Sequence, residues 1–147
     1  MWPPGELTEV PDFESLVVNE LKGSGYVLSF LDGDSTKIAS ELPPKSTGLF
    51  LQVGLDGGFE RVSGWLFAAR IRIEAWGGER RDARALCIAA HAFISTLRGT
   101  SSDGRGIVTG VTTLILPRKF VDPVNNRPRY QCELYVTAHP DPADQLS

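Results

Sequence analysis

A chain of 147 residues with 41% hydrophobic and 22% charged side chains has the length and mixture of one globular domain, which at this size buries about two-thirds of the surface its unfolded form exposes. A net charge of -3 and a pI near 5.4 argue against a dedicated nucleic-acid binder, because neutralising phosphates takes a concentrated basic surface. No apolar run reaches the roughly 18–20 residues that span a bilayer, and Met1-Trp2-Pro3-Pro4-Gly5 lacks the basic start and apolar stretch of a signal peptide, so a soluble protein acting inside a cell is expected.

Residues 1–11 are proline-rich with scattered acids and read as a flexible arm, in which Trp2 either docks on a neighbouring subunit or packs back on its own domain. Asp12 is placed to cap a helix whose apolar face is Phe13, Leu16, Val17 and Leu21, at three-and-four spacing, until Gly23 and Gly25 end or interrupt it. Tyr26 to Leu31 fits either a continuation of that helix or a strand, and Asp32-Gly33-Asp34-Ser35 is a turn. Lys37 to Leu42 reads as a short strand stopped by Pro43-Pro44. Leu49, Leu51, Val53 and Leu55 then alternate with Phe50, Gln52 and Gly54 as a half-buried strand. Asp56-Gly57-Gly58 is expected to turn the chain, with Phe59 to Gly64 as loop or strand start. The next strand sets Trp65, Phe67, Ala69, Ile71, Ile73 and Ala75 against Arg70, Arg72 and Glu74.

Glu79 to Arg98 carries the clearest helical signal. Glu79 and Asp82 sit in its first turn, Arg98 in its last and Gly99 just beyond, and its buried face is Ala83, Leu86, Ala90, Phe93, Ile94 and Leu97. Thr100 to Gly106 is expected as a flexible loop. Ile107 to Leu116 and Tyr130 to Val136 are alternating segments around a Pro- and Asn-rich connection, the pattern of a long-armed C-terminal β-hairpin. The tail 139–147 is expected to be flexible, leaving 12–138 as the domain. The order of elements predicts an α+β fold, a mainly antiparallel sheet of four to five strands with two helices packed on one face.

The residues supply no catalytic constellation. His91 and His139, on the long helix and at the edge of the tail, form no trio with a serine and an acid. Cys87 and His91 are four apart on one helix, too few for a metal site, and Cys87 and Cys132 read as buried thiols instead of a disulfide or metal clip. Glycines 104, 106 and 110 have the wrong spacing for a dinucleotide loop. Gly33-Asp34-Ser35-Thr36-Lys37 lacks the P-loop order, and Asp32 and Asp34 have no calcium-loop partners downstream. No enzyme, cofactor or metal is expected. The outward stripe Arg70, Arg72, Glu74, with Arg118, Arg127 and Arg129, suits either charge pairing across a subunit boundary or a solvated sheet face. Arg127-Pro128-Arg129-Tyr130 joins two arginines and a tyrosine, residue types enriched at interface hot spots.

Two segments carry a resemblance. Leu116-Pro117-Arg118-Lys119-Phe120-Val121-Asp122-Pro123, followed by Asn125-Asn126 and Arg127-Pro128-Arg129-Tyr130, has a proline breaking the first strand, an Asp-Pro turn and an Arg-Pro-Arg-Tyr entry to the last strand. Ala69-Arg70-Ile71-Arg72-Ile73-Glu74-Ala75-Trp76-Gly77-Gly78 is a long strand ending in Trp-Gly directly before a helix. Over residues 12 to 138 the chain resembles the tail terminator proteins of long-tailed (siphovirus-type) bacteriophages, the lambda-like terminators. The Gly23-Ser24-Gly25 interruption and the Asp32-Gly33-Asp34 turn depart from that pattern in the first helix.

The resemblance implies a structural virion protein. Such proteins form a closed ring, expected to be a hexamer, on the end of the tail tube, stop its polymerisation and present a surface for head attachment. Its implied partners are further copies of itself, the tail tube protein and a head-completion or connector protein, with DNA passing through the lumen unbound and no membrane involved. Its implied place is the neck end of the virion tail, after assembly in the bacterial host cytoplasm. Arg70, Arg72, Glu74, Trp76, Arg118, Arg127, Arg129 and Tyr130 are then the expected subunit or tube contacts. The rivals are another neck protein (head-closure or head-tail joining), a small-ligand α+β enzyme with its site on the open sheet face, and a dimeric interaction module with no phage role.

Overall fold

The computed structural model describes residues 9–41, 48–62, 65–99, 106–121 and 127–140. In chain order these form helix α1 (Phe13–Lys22), a one-turn helix α2 (Gly25–Leu28), two 3-10 turns (Ser29–Leu31 and Ser35–Lys37), strands β1 (Ile38–Ala39), β2 (Phe50–Val62) and β3 (Leu66–Trp76), helix α3 (Arg80–Ile94), and strands β4 (Ile107–Val121) and β5 (Pro128–His139). The sheet runs β1-β2-β3-β5-β4, antiparallel throughout except for β1, which lies parallel to β2 over Ile38 and Ala39. The expected α+β class and C-terminal hairpin are found, with three helices packed on one face of the sheet instead of two.

Local chemistry sets the helix ends. The Asp12 carboxylate accepts from Ser15 N at 3.1 Å, satisfying one of the orphan amides of α1, and the expected face Phe13, Leu16, Val17 and Leu21 is buried. Gly23 closes α1, and Ser24 opens α2 by accepting from Val27 N at 3.2 Å. Tyr26 to Leu31 is therefore helical and not a strand. Asp32 (φ 54) and Gly33 (φ 77) then take left-handed backbone to reverse the chain. Helix α3 ends at Ile94, four residues short of the expected Arg98, because Ser95 and Thr96 turn their hydroxyls onto the carbonyls of His91 and Phe93. Leu97 still reaches the core, and Gly99 (φ 84) donates to Val108 O at 2.7 Å, tying the end of the helix to β4.

Two expectations about the sheet are corrected. Asp56-Gly57-Gly58 does not turn the chain. It sits inside a 13-residue β2 as a bulge, where the register with β3 shifts between Leu55 and Gly58. Gly57 adopts φ 102, and a Cβ on Gly58 would lie 2.2 Å from Ala68 O, so the strand continues only because these positions are glycine. Likewise Pro117 does not end β4. The strand runs on to Val121 past a register shift between Ile115 and Arg118, and a bulge on an edge strand is where a residue without an N–H fits. The strand after Lys37 shrinks to Ile38–Ala39. Pro43-Pro44, the 100–105 loop, the Asp122-Pro123 turn with Asn125-Asn126, Trp2 and residues 141–147 lie outside the described residues, whereas His139 belongs to β5 and pairs with Ile107.

The core lies between the helices and the inward side of the sheet. Leu51 and Val53 of β2, Ile71, Ile73 and Ala75 of β3, and Cys132, Leu134 and Val136 of β5 meet Leu16, Leu21, Leu86, Ala90 and Ile94. The alanines of α3 let it approach the sheet closely. Strict alternation on β3 and β5 sends the remaining side chains to the opposite, uncovered face.

Candidate functional site

That uncovered face is where most of the charged residues singled out in the sequence collect. Pairing of β3 with β5 sets Arg70 opposite Tyr135, Arg72 opposite Glu133, Glu74 opposite Gln131 and Trp76 opposite Arg129. Arg70 Nε lies 3.0 Å from Glu133 Oε2. Glu74 is only 5% exposed and is held between two cations, its Oε1 2.5 Å from Arg72 Nε and its Oε2 3.0 Å from Arg129 Nε. Both Nε atoms are buried and out of hydrogen-bond alignment, so the attraction is Coulombic and acts where water does not screen it. Arg72 also pairs with Asp56, and its guanidinium lies over Gly54, where a Cβ would stand 2.6 Å from Nη2.

At the end of the sheet the arginines stack on aromatic rings. Trp76 Nε1 donates to Gln52 Oε1 at 3.0 Å, which fixes the indole, and Arg127 and Arg129 lie 5.0 and 4.6 Å from its ring centroid. Arg129 also faces Phe120 at 5.4 Å, with Arg118 on that ring at 4.5 Å. The result is a ladder, Arg118, Phe120, Arg129, Trp76, Arg127, in which guanidinium groups and aromatic rings alternate, with Arg129 also donating from Nη2 to Gln131 Oε1 at 3.2 Å. Tyr130 is the exception among the eight expected residues. It points to the helix side, packs against the core, and with Arg80 and Lys119 lines a small cleft of ≈ 130 Å³. Phe120, Gln52, Asp56 and Glu133 complete the network and were not foreseen. Phe120 is two residues beyond Arg118, so a strand continuing past Pro117 would have placed it on the same face.

A second feature lies on the helix side, at the free half of β2. Val10, Pro11, Leu55, Phe67 and Ala69 line an apolar groove of ≈ 570 Å³ with Asp12 and Glu60 on its border. Val10 (61%) and Leu55 (46%) are exposed there, whereas Phe59 turns to the open face, its ring centroid 5.8 Å from that of Tyr135. The β2 bulge makes this groove, which is why a reading that turned the chain at residue 56 could not find it.

Groups with catalytic potential are used structurally. His91 Nε2 lies 2.8 Å from Thr113 Oγ1, joining α3 to β4, and burial pushes its imidazole below the ordinary value. Cys87 and Cys132 are free, buried neighbours, and the Cys132 thiol and burial push the Cys87 thiol far up, so it stays protonated and inert. Asp34 accepts from both Thr36 N and Thr36 Oγ1, which lowers its carboxyl and fills the turn with its own anion. Among the described residues no three His, Cys, Asp or Glu side chains gather to hold a metal.

No family model and no curated protein matches the sequence. Among solved structures, a chain from the virion of a native gene transfer agent (GTA) particle superposes with a TM-score of 0.57 at 16% identity, covering 84% of this chain and 91% of that one. The two chains share a fold.

Proposed function

We propose that this chain is a structural, non-enzymatic virion protein that caps the tail tube of a phage-like particle as a closed, six-membered ring, ends tube growth and offers the surface for head attachment. The observation that carries the reading is the shared fold, nearly end to end, with a chain of the GTA virion. The tail-terminator resemblance of the Trp76-Gly77 and Arg127-Pro128-Arg129-Tyr130 segments selects the position at the neck. Copies of itself, the tube protein and a connector are its partners, and DNA passes the ring unheld, as suits a chain of net charge -3.

The test is deletion of the gene in the host that makes the particle, followed by electron microscopy. Overlong tubes without heads, restored to normal by complementation, are expected. Tails of correct length that lack heads would move the protein to the head side of the neck. Normal particles would overturn the reading.

A further inference from the structure

The apolar groove beside the free half of β2 is left bare by the described residues. β1 pairs only with Leu51 and Gln52, so β2 from Asp56 onward is an edge, and Val10 and Leu55 stand 61% and 46% exposed over a floor of Phe67 and Ala69. Its ≈ 570 Å³ lies in the range of roughly 300–1,000 Å³ of clefts that enclose a compact apolar group. The two acids on its border are engaged within the chain: Asp12 caps α1, and Glu60 has an interaction of its own. The groove therefore calls for an apolar occupant and not a charged one.

We propose that the occupant is this chain's own N-terminal arm, residues 1–8, with Trp2 seated in the groove of the same copy and Leu7 beside it. Val10 and Pro11 are at once part of the groove wall and the continuation of the arm, so the arm starts from the site it would cover. Trp2 is the one aromatic side chain outside the described residues, and burying an aromatic ring removes about 150–250 Å² from water. The reach suffices. At no more than about 3.6 Å per residue, Leu7 stays within about 11 Å of Val10 and Trp2 within about 29 Å. Pro4-Gly5 has the residue order of the two central positions of a type II turn, which carries Trp2 back toward Leu7 and the groove. Pro3 and Pro11 hold Trp2 and Val10 to extended backbone, and together with Pro4 they reduce the freedom lost on docking. Only Thr8 and Glu9 separate Leu7 from Val10, and so short a tether keeps the arm at an effective concentration on the order of millimolar, above that of a free second copy. That difference selects the chain's own arm over a neighbour's. The contact lies within one copy and does not depend on the ring reading.

The test follows the indole N–H signals of the full chain by NMR, with Trp2 identified by the signal lost in Trp2→Phe. Trp2 is expected to tumble with the domain, as read from its heteronuclear NOE, and its ring to show contacts to the methyl groups of Val10 and Leu55. Val10→Asp and Leu55→Glu should each shift its signal to that of a free indole. The signals of Trp65, stacked on His139, and of Trp76, bonded to Gln52, should stay in place and report that the domain is folded. Trp2→Ala should uncover the groove, raising the binding of an anilinonaphthalene sulfonate dye severalfold with an unchanged circular dichroism spectrum. A Trp2 indole that moves freely in the parent chain, or that keeps its shift in both groove variants, would overturn the proposal. So would ring-to-methyl contacts found only between differently labelled copies in a mixture, which would place the arm on a neighbour. Each of these failures leaves the ring reading standing, since that reading falls only with normal particles after gene deletion.

Discussion

Glu74→Gln is the sharpest test of how the open face is held together. The amide keeps the shape of the carboxylate but not its charge, so Arg72 Nε and Arg129 Nε, both buried, lose the anion that lies 2.5 and 3.0 Å away. Removing one partner from a buried ion pair costs about 3–5 kcal/mol. The arginine side chains keep 31% and 20% of their exposure and Arg72 retains Asp56, so partial rehydration reduces the expected loss to about 2–3 kcal/mol. For a chain of this length that corresponds to a fall in Tm of about 5–10 °C. Equilibrium urea unfolding should show a lower midpoint at an unchanged m-value. Replacing the triad together (Arg72→Met, Glu74→Leu, Arg129→Met) removes charges and counter-charge at once and should recover most of the loss. Arg70→Ala, at the more exposed Arg70–Glu133 pair, should cost no more than about 1 kcal/mol. A Glu74→Gln protein within about 0.5 kcal/mol of the parent would refute the view of Glu74 as a buried counter-charge.

Gly58→Ala should destabilise by about 2 kcal/mol or more, because the new Cβ meets the backbone oxygen of Ala68 and not a movable side chain; an unchanged urea midpoint would contradict the bulge. The thiols of Cys87 and Cys132 should react with an aromatic disulfide reagent only as the protein unfolds, and fast labelling in native buffer would show that the core between α3 and β5 is open. Burial lowers the His91 pKa, so the unfolded chain binds the proton more readily: the contribution of neutral His91 is whole above its ordinary pKa of about 6.5 and is lost as pH falls from there through the folded value. The stability difference between parent and His91→Gln should therefore shrink on acidification from pH 7, and a difference that grows would reverse the assignment.

Elements whose periodicity is uninterrupted were legible in the sequence, and those carried by glycine or proline were not. Both faces of β3, the buried face of α1, its Asp12 cap and most of α3 follow from spacing and capping alone, since each residue there obeys the local rule of its element. Asp56-Gly57-Gly58 and Pro117 break the local rule and yet lie within strands, because cross-strand pairing with β3 and β5 outweighs a turn preference when a bulge accommodates the extra residue. The same misreading hid the groove and Phe120, which depend on those two continuations. The charged stripe was placed on the correct face by alternation. That Glu74 is buried between two arginines was not readable, because it depends on register between β3 and β5 and on the space left by Gly54.

The two irregularities also bear on how copies join. A long flat edge strand would invite another strand to pair with it, and a sheet continued from subunit to subunit would be the simplest way to build a ring. Among the described residues both sheet edges, the free half of β2 and β4, are bent: β2 by its double-glycine bulge and β4 by the shift at Pro117, whose ring nitrogen offers no donor. Just beyond these bends the edges carry charge, Glu60 on β2 and Arg118 and Lys119 on β4. Strand addition is thereby disfavoured at both edges, while the same bends open the groove at one corner and extend the aromatic ladder at the other. Joining through side chains, and not through a shared sheet, is the arrangement these edges favour. It gives each contact a register set by charge and shape, which backbone pairing along a uniform edge would leave free to slip.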